Sequence, residues 1–280
     1  MTEFTQPSAD HTVLFDWDLS QFDQLVANCA LDDSLTLGLP YLPRQGLILE
    51  AGSGPGHVVA YLRALGYDIE GVELNAKIIE AMSRLRPDLL LRVGDVGKLD
   101  VPDGSYRGLL SFGVIEHFKD GPAAVLAEHA RVLAPGGIAV ISVPTLNLVR
   151  RIKRGWYSAT VPLRPALNNT LRRLIGRPPT ELNRRGQKGF LYEVNPQRGD
   201  FFEYWLQTRE FEDAIRTAGF TILKSKPTHH TVGLWSEFGS WAARNRDRRF
   251  LPTRLGRAIS VLLGSRGSAY NHMHTIIARK

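Results

Sequence analysis

The chain has 280 residues, of which 43% are hydrophobic, with a formal net charge of +7 and a single cysteine, Cys29. That is enough apolar material for one α/β domain with embellishments, and one cysteine excludes an intrachain disulfide. No apolar run approaches the roughly 18 residues that span a bilayer, and the opening "MTEFTQPSAD" lacks the basic and apolar regions of a secretory signal, so a cytoplasmic protein is expected.

From Leu47 to Pro144 apolar runs alternate with amphipathic segments, the rhythm of βαβ units and a parallel sheet. "LILEA" is the first predicted strand. "HVVAYLRALG" follows as a helix, with Val58, Val59, Leu62 and Leu65 on one face and Gly66 as its stop. "DIEGVEL" is a second strand, "AKIIEAMSRL" a second helix closed by Pro87, "LLLRVGD" a third strand and "YRGLLSFG" a fourth. Pro122 opens the next helix, which is expected to run to about Leu133, and "GGIAVISVP" is the fifth strand. After an arginine-rich interruption, Thr208 is the expected cap of a helix carrying Phe211, Ala214, Ile215 and Ala218, ended by Gly219. "FTILKSK" and "HMHTIIARK" are the last two strands, separated by a stretch from about His229 to Ser268 that shows no regular pattern.

The turn after the first strand, "LEAGSGPGH", has glycines at 52, 54 and 56. Glycines at a strand-to-helix turn permit positive φ and close approach of a ligand to the backbone. The dinucleotide fingerprint G-x-G-x-x-G is broken, because His57 stands where its third glycine belongs. Glu50, directly before the loop, would oppose a pyrophosphate and suits a ligand with an ammonium group. Glu73 closes the second strand 21 positions after Gly52, where a carboxylate accepts ribose hydroxyls. Asp95 ends the third strand, placed to accept from an exocyclic adenine amine. Each could be an ordinary polar strand end; together they describe an ammonium, a ribose and an adenine, the parts of S-adenosylmethionine.

With these residues the sequence resembles the class I S-adenosylmethionine-dependent methyltransferases. "LEAGSGPG" is similar to that family's first motif, "GVELN" to its ribose motif, and "GDVGKLDVPDGSYRGLLSFGVIEHF" to its third and fourth strands with the adenine loop. The run "GVIEHFKDGPAAVLAEHARVLAPGG" most resembles a subgroup found with bacterial glycan and secondary biosynthesis. The resemblance implies an α/β fold, a doubly wound, seven-stranded, mostly parallel Rossmann-like sheet, here with a helical, basic insertion after the fifth strand. It divides the chain into a helical cover at 1–46, a cofactor-binding domain at 47–145 and 201–280, and a lid or acceptor region at 146–200. It implies that Glu50, Gly52, Ser53, Gly54 and Gly56 surround the methionine end of the cofactor. Glu73 and Leu74 would meet ribose and adenine, Asp95 and Val96 would flank the adenine, and Gly113 would lie beneath the donor with His117 near the methyl. Trp17, in "LFDWDLSQFDQLV", would sit either in a cover over the cofactor or in ordinary core packing.

Methyl transfer needs orientation above all, and a hydroxyl or amine acceptor may also need a base. His117, after the fourth strand, and His229 and His230, after the sixth, are the candidates, against a structural role for each. No metal site is read.

Charge is uneven. From Leu146 to Phe190 there are eleven Lys and Arg against one acid, Glu181, and from Arg244 to Arg257 six Arg against Asp247. In "NLVRRIKRGW" the apolar Val149, Ile152 and Trp156 share a helical face and the basic residues are expected to turn away; "ALNNTLRRLIG" is built likewise. Such helices either cover the acceptor pocket or lie on an anionic membrane surface, which places a peripheral contact in 146–190 at the inner face of the membrane. Tyr192, Tyr204 and Trp205, in an aromatic-rich stretch, are candidate acceptor contacts. The expected activity is transfer of a methyl group, at oxygen, to a small-molecule or lipid-linked acceptor such as a glycan. The alternatives are an RNA methyltransferase, suggested by charge alone, and a cofactor-binding protein without turnover. No nucleic-acid module is recognisable, and "SFGVIEHF" lacks the Asn/Asp-Pro-Pro-aromatic motif of many amino-directed nucleic-acid methyltransferases.

Overall fold

In the computed structural model the apolar runs become the strands of one sheet, whose central strands are buried on both faces. The structure describes residues 17–153, 190–195, 199–246, 249–263 and 268–280, and for 190–195 and 199–202 the backbone only. The elements are α1 (Phe22–Asn28), α2 (Asp33–Gly38), β1 (Ile48–Ala51), α3 (His57–Ala64), β2 (Ile69–Glu73), α4 (Ala76–Leu85), β3 (Leu91–Val93), β4 (Tyr106–Phe112), α5 (Ala123–Val132) and β5 (Leu133–Pro144). Then follow β6 (Phe190–Asn195), β7 (Gly199–Tyr204), α6 (Thr208–Thr217), β8 (Thr221–Thr228), α7 (His230–Phe238), β9 (Ala243–Arg246), β10 (Arg249–Pro252), α8 (Arg254–Leu263) and β11 (Met273–Arg279). Seven strands form the main sheet in the order β3-β2-β1-β4-β5-β11-β8. All described pairings in it are parallel except those of β11, which runs antiparallel to both neighbours. The expected doubly wound, mostly parallel sheet is borne out.

Each strand feeds two cores. Leu49 and Ala51 of β1, Ala139, Ile141 and Val143 of β5, and Ile276 of β11 pack with Val125 and Leu126 of α5 and Phe211 and Ile215 of α6. Their sequence neighbours Ile48, Val140 and Ile277 pack on the other face with Val59 and Leu62 of α3, Met82 of α4, and Phe22 and Leu35 of the N-terminal helices. Burying both faces makes the central strands continuous apolar runs rather than half-polar ones.

Several boundaries differ from expectation. β3 has only three residues, and α5 gives way to β5 at Leu133, where a register shift in the β4–β5 pairing absorbs Pro135 and the two glycines that follow. Gln207 caps α6 in place of Thr208, in a capping box with Glu210, whose carboxylate accepts from Gln207 N at 3.0 Å. The stretch from His229 to Ser268 is organised: α7, the β9–β10 hairpin and α8 pack around Leu234, Ala242, Ala243 and Tyr270. Its close packing needs two glycines, since a Cβ on Gly233 would lie 1.8 Å from Tyr270 O and one on Gly256 1.9 Å from Ala242 O.

Of the basic residues expected to turn outward in "NLVRRIKRGW", Arg151 is exposed, while Arg150 is corrected. Residues 148–153 are helical, but Arg150 is 7% exposed while Ile152 is 63% exposed. Arg150 Nε donates to Glu237 Oε1 at 2.6 Å, Nη1 to Thr145 O at 2.8 Å, and its guanidinium lies 5.1 Å from the Trp205 ring centroid. Lys153 Nζ pairs with Glu237 Oε2 at 3.2 Å. A buried carboxylate turns these cations inward, because a lone buried charge is far costlier than a paired one. The second amphipathic piece, 166–176, and Trp156 lie outside the described residues.

The N-terminal helices are fastened to the sheet by polar contacts. Ser34 Oγ and Thr275 Oγ1 are 2.7 Å apart, and Thr275 Oγ1 and Thr228 Oγ1 2.8 Å. His229, at φ 56° the only non-glycine with positive φ among the described residues, donates from its backbone N to Asp33 Oδ2 at 2.6 Å. Its Nε2 lies 3.1 Å from Asp32 Oδ2. Burial opposes the charged ring, but the hydrogen bond to Asp32 and the charges of Asp32 and Asp33 outweigh it and raise the His229 pKa. Burial likewise pushes the Asp32 carboxyl up, and the His229 bond and charge with the Leu35 and Ser34 amides hold it below its ordinary value.

The Asp32 contribution is therefore present above about pH 4 and lost on acidification, and the His229 contribution is full below about pH 6.5 and lost as pH rises through the elevated folded value. Asp32→Asn keeps an acceptor for Leu35 N and removes the charge. It is expected to lower the thermal midpoint near pH 6 by a few degrees and to flatten the fall as pH rises above about 6.5. Circular dichroism melts check this; curves displaced in parallel would remove the pair from the pH response.

Candidate functional site

The cavity opens at the carboxyl ends of β1, β2 and β4, and its floor is the turn between β1 and α3. Gly52, Gly54 and Gly56 have φ of 80°, 53° and 80°. Gly52 N and Ser53 N both donate to Val72 O, at 2.8 and 3.0 Å, which presses the turn onto β2. A Cβ on Gly52 would stand 2.5 Å from Val114 Cγ2, and one on Gly54 3.0 Å from the Trp17 indole. The first two glycines thus serve conformation and contact together. Gly56 serves packing behind the turn, where a Cβ would meet Leu91 Cδ1 at 2.7 Å.

Around this turn lies a cavity of about 330 Å³. Of the residues expected at a cofactor site, the structure brings Gly52, Gly54, Glu73 and Leu74 to its wall. It also brings Asp95, Val96, Gly113 and His117. Glu50, Ser53 and Gly56 stand behind the turn. Trp17 closes the cavity from the N-terminal side, its ring 5.5 Å from that of His57. Sequence reasoning missed Phe112, Val114 and Phe118 on the wall. The signal for Phe118 was Gly97, where a Cβ would lie 2.8 Å from the Phe118 ring.

Glu73 holds the floor in shape. Its Oε2 accepts from Gly54 N and its Oε1 from Asn75 N, each at 2.9 Å, and Asn75 Oδ1 in turn caps α4 by accepting from Lys77 N at 3.1 Å. Asp95 Oδ1 accepts from Gly97 N at 2.8 Å, which fixes the third strand's terminal turn. A carboxylate has about four acceptor sites, so both side chains retain capacity for hydroxyl or amine donors in the cavity.

Glu50 is 4% exposed. Burial, opposed by a backbone hydrogen bond at Val59 and helped by the charges of Glu73 and Asp32, pushes its carboxyl well above the ordinary range. With Asp32, and after burial itself, it pushes the neighbouring Cys29 thiol up to about 12. Glu50 Oε2 and Ser53 Oγ are buried with no hydrogen-bond partner among the described residues. Unpaired buried polar atoms beside a glycine cradle fit a ligand that ends in a polar, cationic group.

Of the three candidate histidines only His117 reaches the cavity. It sits in the short turn Ile115–His117, its N donating to Val114 O at 3.1 Å and its Nε2 3.8 Å from Glu116 Oε1. Glu116, not singled out from sequence, is buried. Burial first, with the Glu203 charge, raises its carboxyl well above the ordinary range against its own backbone hydrogen bond. His229 is turned to Asp32, and the His230 ring packs edge-on to Tyr270 at 5.6 Å.

The acceptor candidates stand beside the cavity rather than in its wall. Tyr204 donates its hydroxyl to Lys119 O at 2.6 Å, which ties β7 to the turn carrying His117. Trp205 donates to Glu203 and lies under the Arg150 guanidinium. Tyr192 is in β6, and its side chain lies outside the described residues.

Fold and site define a Rossmann-like α/β domain whose loop and strand-end carboxylates suit an adenosyl ligand. More particularly, the family model for a methyltransferase domain matches residues 24–225, and the chain belongs to that family. It is 31% identical over 97 residues to a probable S-adenosylmethionine-dependent methyltransferase of Mycolicibacterium smegmatis, covering 35% of this chain and 37% of that protein. It is 28% identical over 120 residues to the malonyl-[acyl-carrier protein] O-methyltransferase of Erwinia billingiae, covering 42% and 47%. The chain thus spans less than half the length of these curated relatives. The structure of a SAM-dependent methyltransferase from Methanosarcina mazei superposes with a TM-score of 0.54 at 17% identity, covering 87% of this chain and 96% of that one, which shows the fold. The expectation of S-adenosylmethionine as the cofactor is borne out by the family.

The floor's dependence on glycine is measurable. Gly52→Ala is expected to cost about 2–4 kcal/mol, combining a left-handed φ with the clash on Val114. Gly66→Ala, at φ 82° with nothing within 4 Å, is expected to cost about 1–2 kcal/mol from φ alone. Urea denaturation separates them; equal costs would show that Val114 yields freely.

Proposed function

We propose that this chain is an S-adenosylmethionine-dependent methyltransferase that methylates an oxygen of a small-molecule or lipid-linked acceptor. The observation that carries the methyltransferase reading is the joint placement of Glu73 and Asp95, at successive strand ends, with the three-glycine turn on one cavity. The cofactor, bound there, supplies an electrophilic methyl group, and the chain's task is to hold and enclose it. Glu73 accepts from ribose hydroxyls while keeping its two backbone bonds. Asp95 accepts from the adenine amine, with Leu74 and Val96 as apolar walls. Glu50 and Ser53, buried behind the turn, back the part of the cavity proposed for the methionine end without lining it. Trp17, Val114 and Phe118 exclude water, which strengthens every polar contact inside.

His117 is the group placed to take the acceptor's proton. Its neighbour Glu116, 3.8 Å away, is buried, and that burial pushes its carboxyl well above the ordinary range. The reading of oxygen as target is supported by this arrangement of a histidine on the wall and by the relative whose name is that of an O-methyltransferase. A lipid-linked acceptor is supported by the basic, aromatic segment after β5, whose described end, β7, packs on the turn of Ile115–His117.

Two outcomes are expected. Glu73→Gln weakens S-adenosylhomocysteine binding about 10- to 100-fold in calorimetry, since hydrogen bonds to a charged group contribute about 1.5–3 kcal/mol; unchanged affinity would remove Glu73 from the site. Labelled methyl from S-adenosylmethionine enters a component of a small-molecule or lipid extract, and His117→Ala slows that transfer about 10²- to 10⁴-fold with cofactor affinity intact. Cofactor binding with label in neither extract would leave a binding protein without turnover.

A further inference from the structure

The unit formed by α7, the β9–β10 hairpin and α8 carries a surface that the cavity does not use. In the hairpin Arg249 pairs with Arg246 and Leu251 with Arg244. Since side chains alternate across a strand and paired residues share a face, Arg244, Arg246, Arg249 and Leu251 all point one way. That way is outward: Ala243, on the other face, is fully buried, and Phe250 stacks on Trp235 at 5.7 Å. In α8 the inward positions are Gly256, Ile259 and Leu263, packed on Ala242 and its neighbours. The outward positions should then be polar, as in an ordinary surface helix. Instead Val261 is 82% exposed and Leu262 78%, with Leu255 beside them and Arg254 and Arg257 on the same side. Trp241, at 78% exposed, completes the patch. Trp241, Arg244, Arg246, Leu251, Arg254 and Leu255 line one shallow groove, so hairpin and helix form one surface.

The charge on this surface has no acidic partner among the described residues. In α6, by contrast, Arg209 and Arg216 pair with Asp213 and Glu212 one turn away. From Gly239 to Lys280 the sequence has one acid, Asp247. Among the described residues Arg244, Arg246 and Arg254 have no ion-pair partner, whereas Arg249 donates to Asn28 Oδ1 at 3.0 Å. No described helix is long and apolar enough to cross a membrane.

We infer that this face docks on an anionic membrane surface, with Trp241, Leu255, Val261 and Leu262 entering the headgroup boundary and Arg244, Arg246 and Arg254 at lipid phosphates. Exposed aliphatic side chains flanked by unpaired arginines match an interfacial amphipathic element. A nucleic acid would use the arginines but gains nothing from Val261 and Leu262. A second copy of this chain would bring the arginines face to face across a two-fold axis. The surface differs from the 146–190 segment in which sequence placed a membrane contact, and it does not rest on the acceptor proposed above. It descends from the end of β8, which runs parallel to β5 through β11, and so lies at the same sheet edge as the cavity.

Sedimentation with vesicles tests it, using the full chain with phosphatidylcholine alone or mixed with phosphatidylglycerol. Wild type is expected to bind only the anionic vesicles, less at high salt. The variant R244Q/R246Q/R254Q should lose on the order of a hundredfold in partition, about fivefold per arginine, and V261S/L262S about tenfold or more. All five sites are exposed, so melting curves and S-adenosylhomocysteine affinity should match wild type. Equal binding to both vesicle types, no binding, or full binding by either variant would overturn the inference. So would a concentration-dependent dimer abolished by V261S/L262S, or arginine-dependent binding of RNA, with no vesicle binding in either case.

Discussion

Glu73 ties together the two turns from which the cavity is made, Gly54 on one side and Asn75 on the other. The first turn carries three left-handed glycines and cannot hold its own shape, because glycine loses more freedom on folding than any other residue. Bonds to an ionised acceptor are roughly twice as strong as neutral ones, and two of them here converge on one side chain. The second turn starts α4 through the Asn75 cap. Thus a single carboxylate sets the floor, the helix behind it and the acceptors left facing the cavity. A ribose bound at this position would be recognised by a group that the fold already requires.

The opposite wall depends on a longer chain of contacts. Trp17 reaches Gly54 from the N-terminal segment, and that segment is held by α1 and α2, whose apolar faces enter the core beside α3. The last link is polar: Asp32 and Asp33 with His229, and Ser34 with Thr275. His229, chosen from sequence as a base, therefore acts as a latch between the cover and the end of β8. Its left-handed backbone is held by the hydrogen bond that its amide donates to Asp33.

Whatever is local was legible. The alternation of Ile48, Leu49 and Glu50, the three glycines, and the acidic residues at successive strand ends describe the sheet and the floor, since each depends on neighbours within a few positions. Contacts between distant segments were not. The Asp32–His229 pair joins residues 197 positions apart. The inward turn of Arg150 is set by Glu237, 87 positions away; helical spacing gives which residues share a face but not which face a distant carboxylate will attract. Glu116 was passed over because an acid in a loop reads as solvated, and only the packing of Ile115 and β7 around it buries it. The 229–268 stretch looked irregular because its strands have four residues each and its packing relies on Gly233 and Gly256 rather than on a periodic apolar stripe.

The positive charge of the chain divides into two kinds by what faces it. Arg150 and Lys153 pair with the buried Glu237, and removing that carboxylate would leave the buried Arg150 without its partner; they fasten the start of the insertion to α7. Arg244, Arg246 and Arg254 are exposed and have no ion-pair partner among the described residues. A net charge of +7 therefore says little until each cation is placed, because the first kind is neutralised inside the fold and the second projects a field. That field lies on a unit joined to the sheet at β8, and the cavity opens at the same edge. A surface that orients the protein on lipid from there would also fix the direction in which the cavity mouth faces. The cavity, by contrast, is built at the ends of β1, β2, β3 and β4. The proposed cofactor binding and the proposed docking can therefore be altered separately, since their residues belong to different parts of the chain.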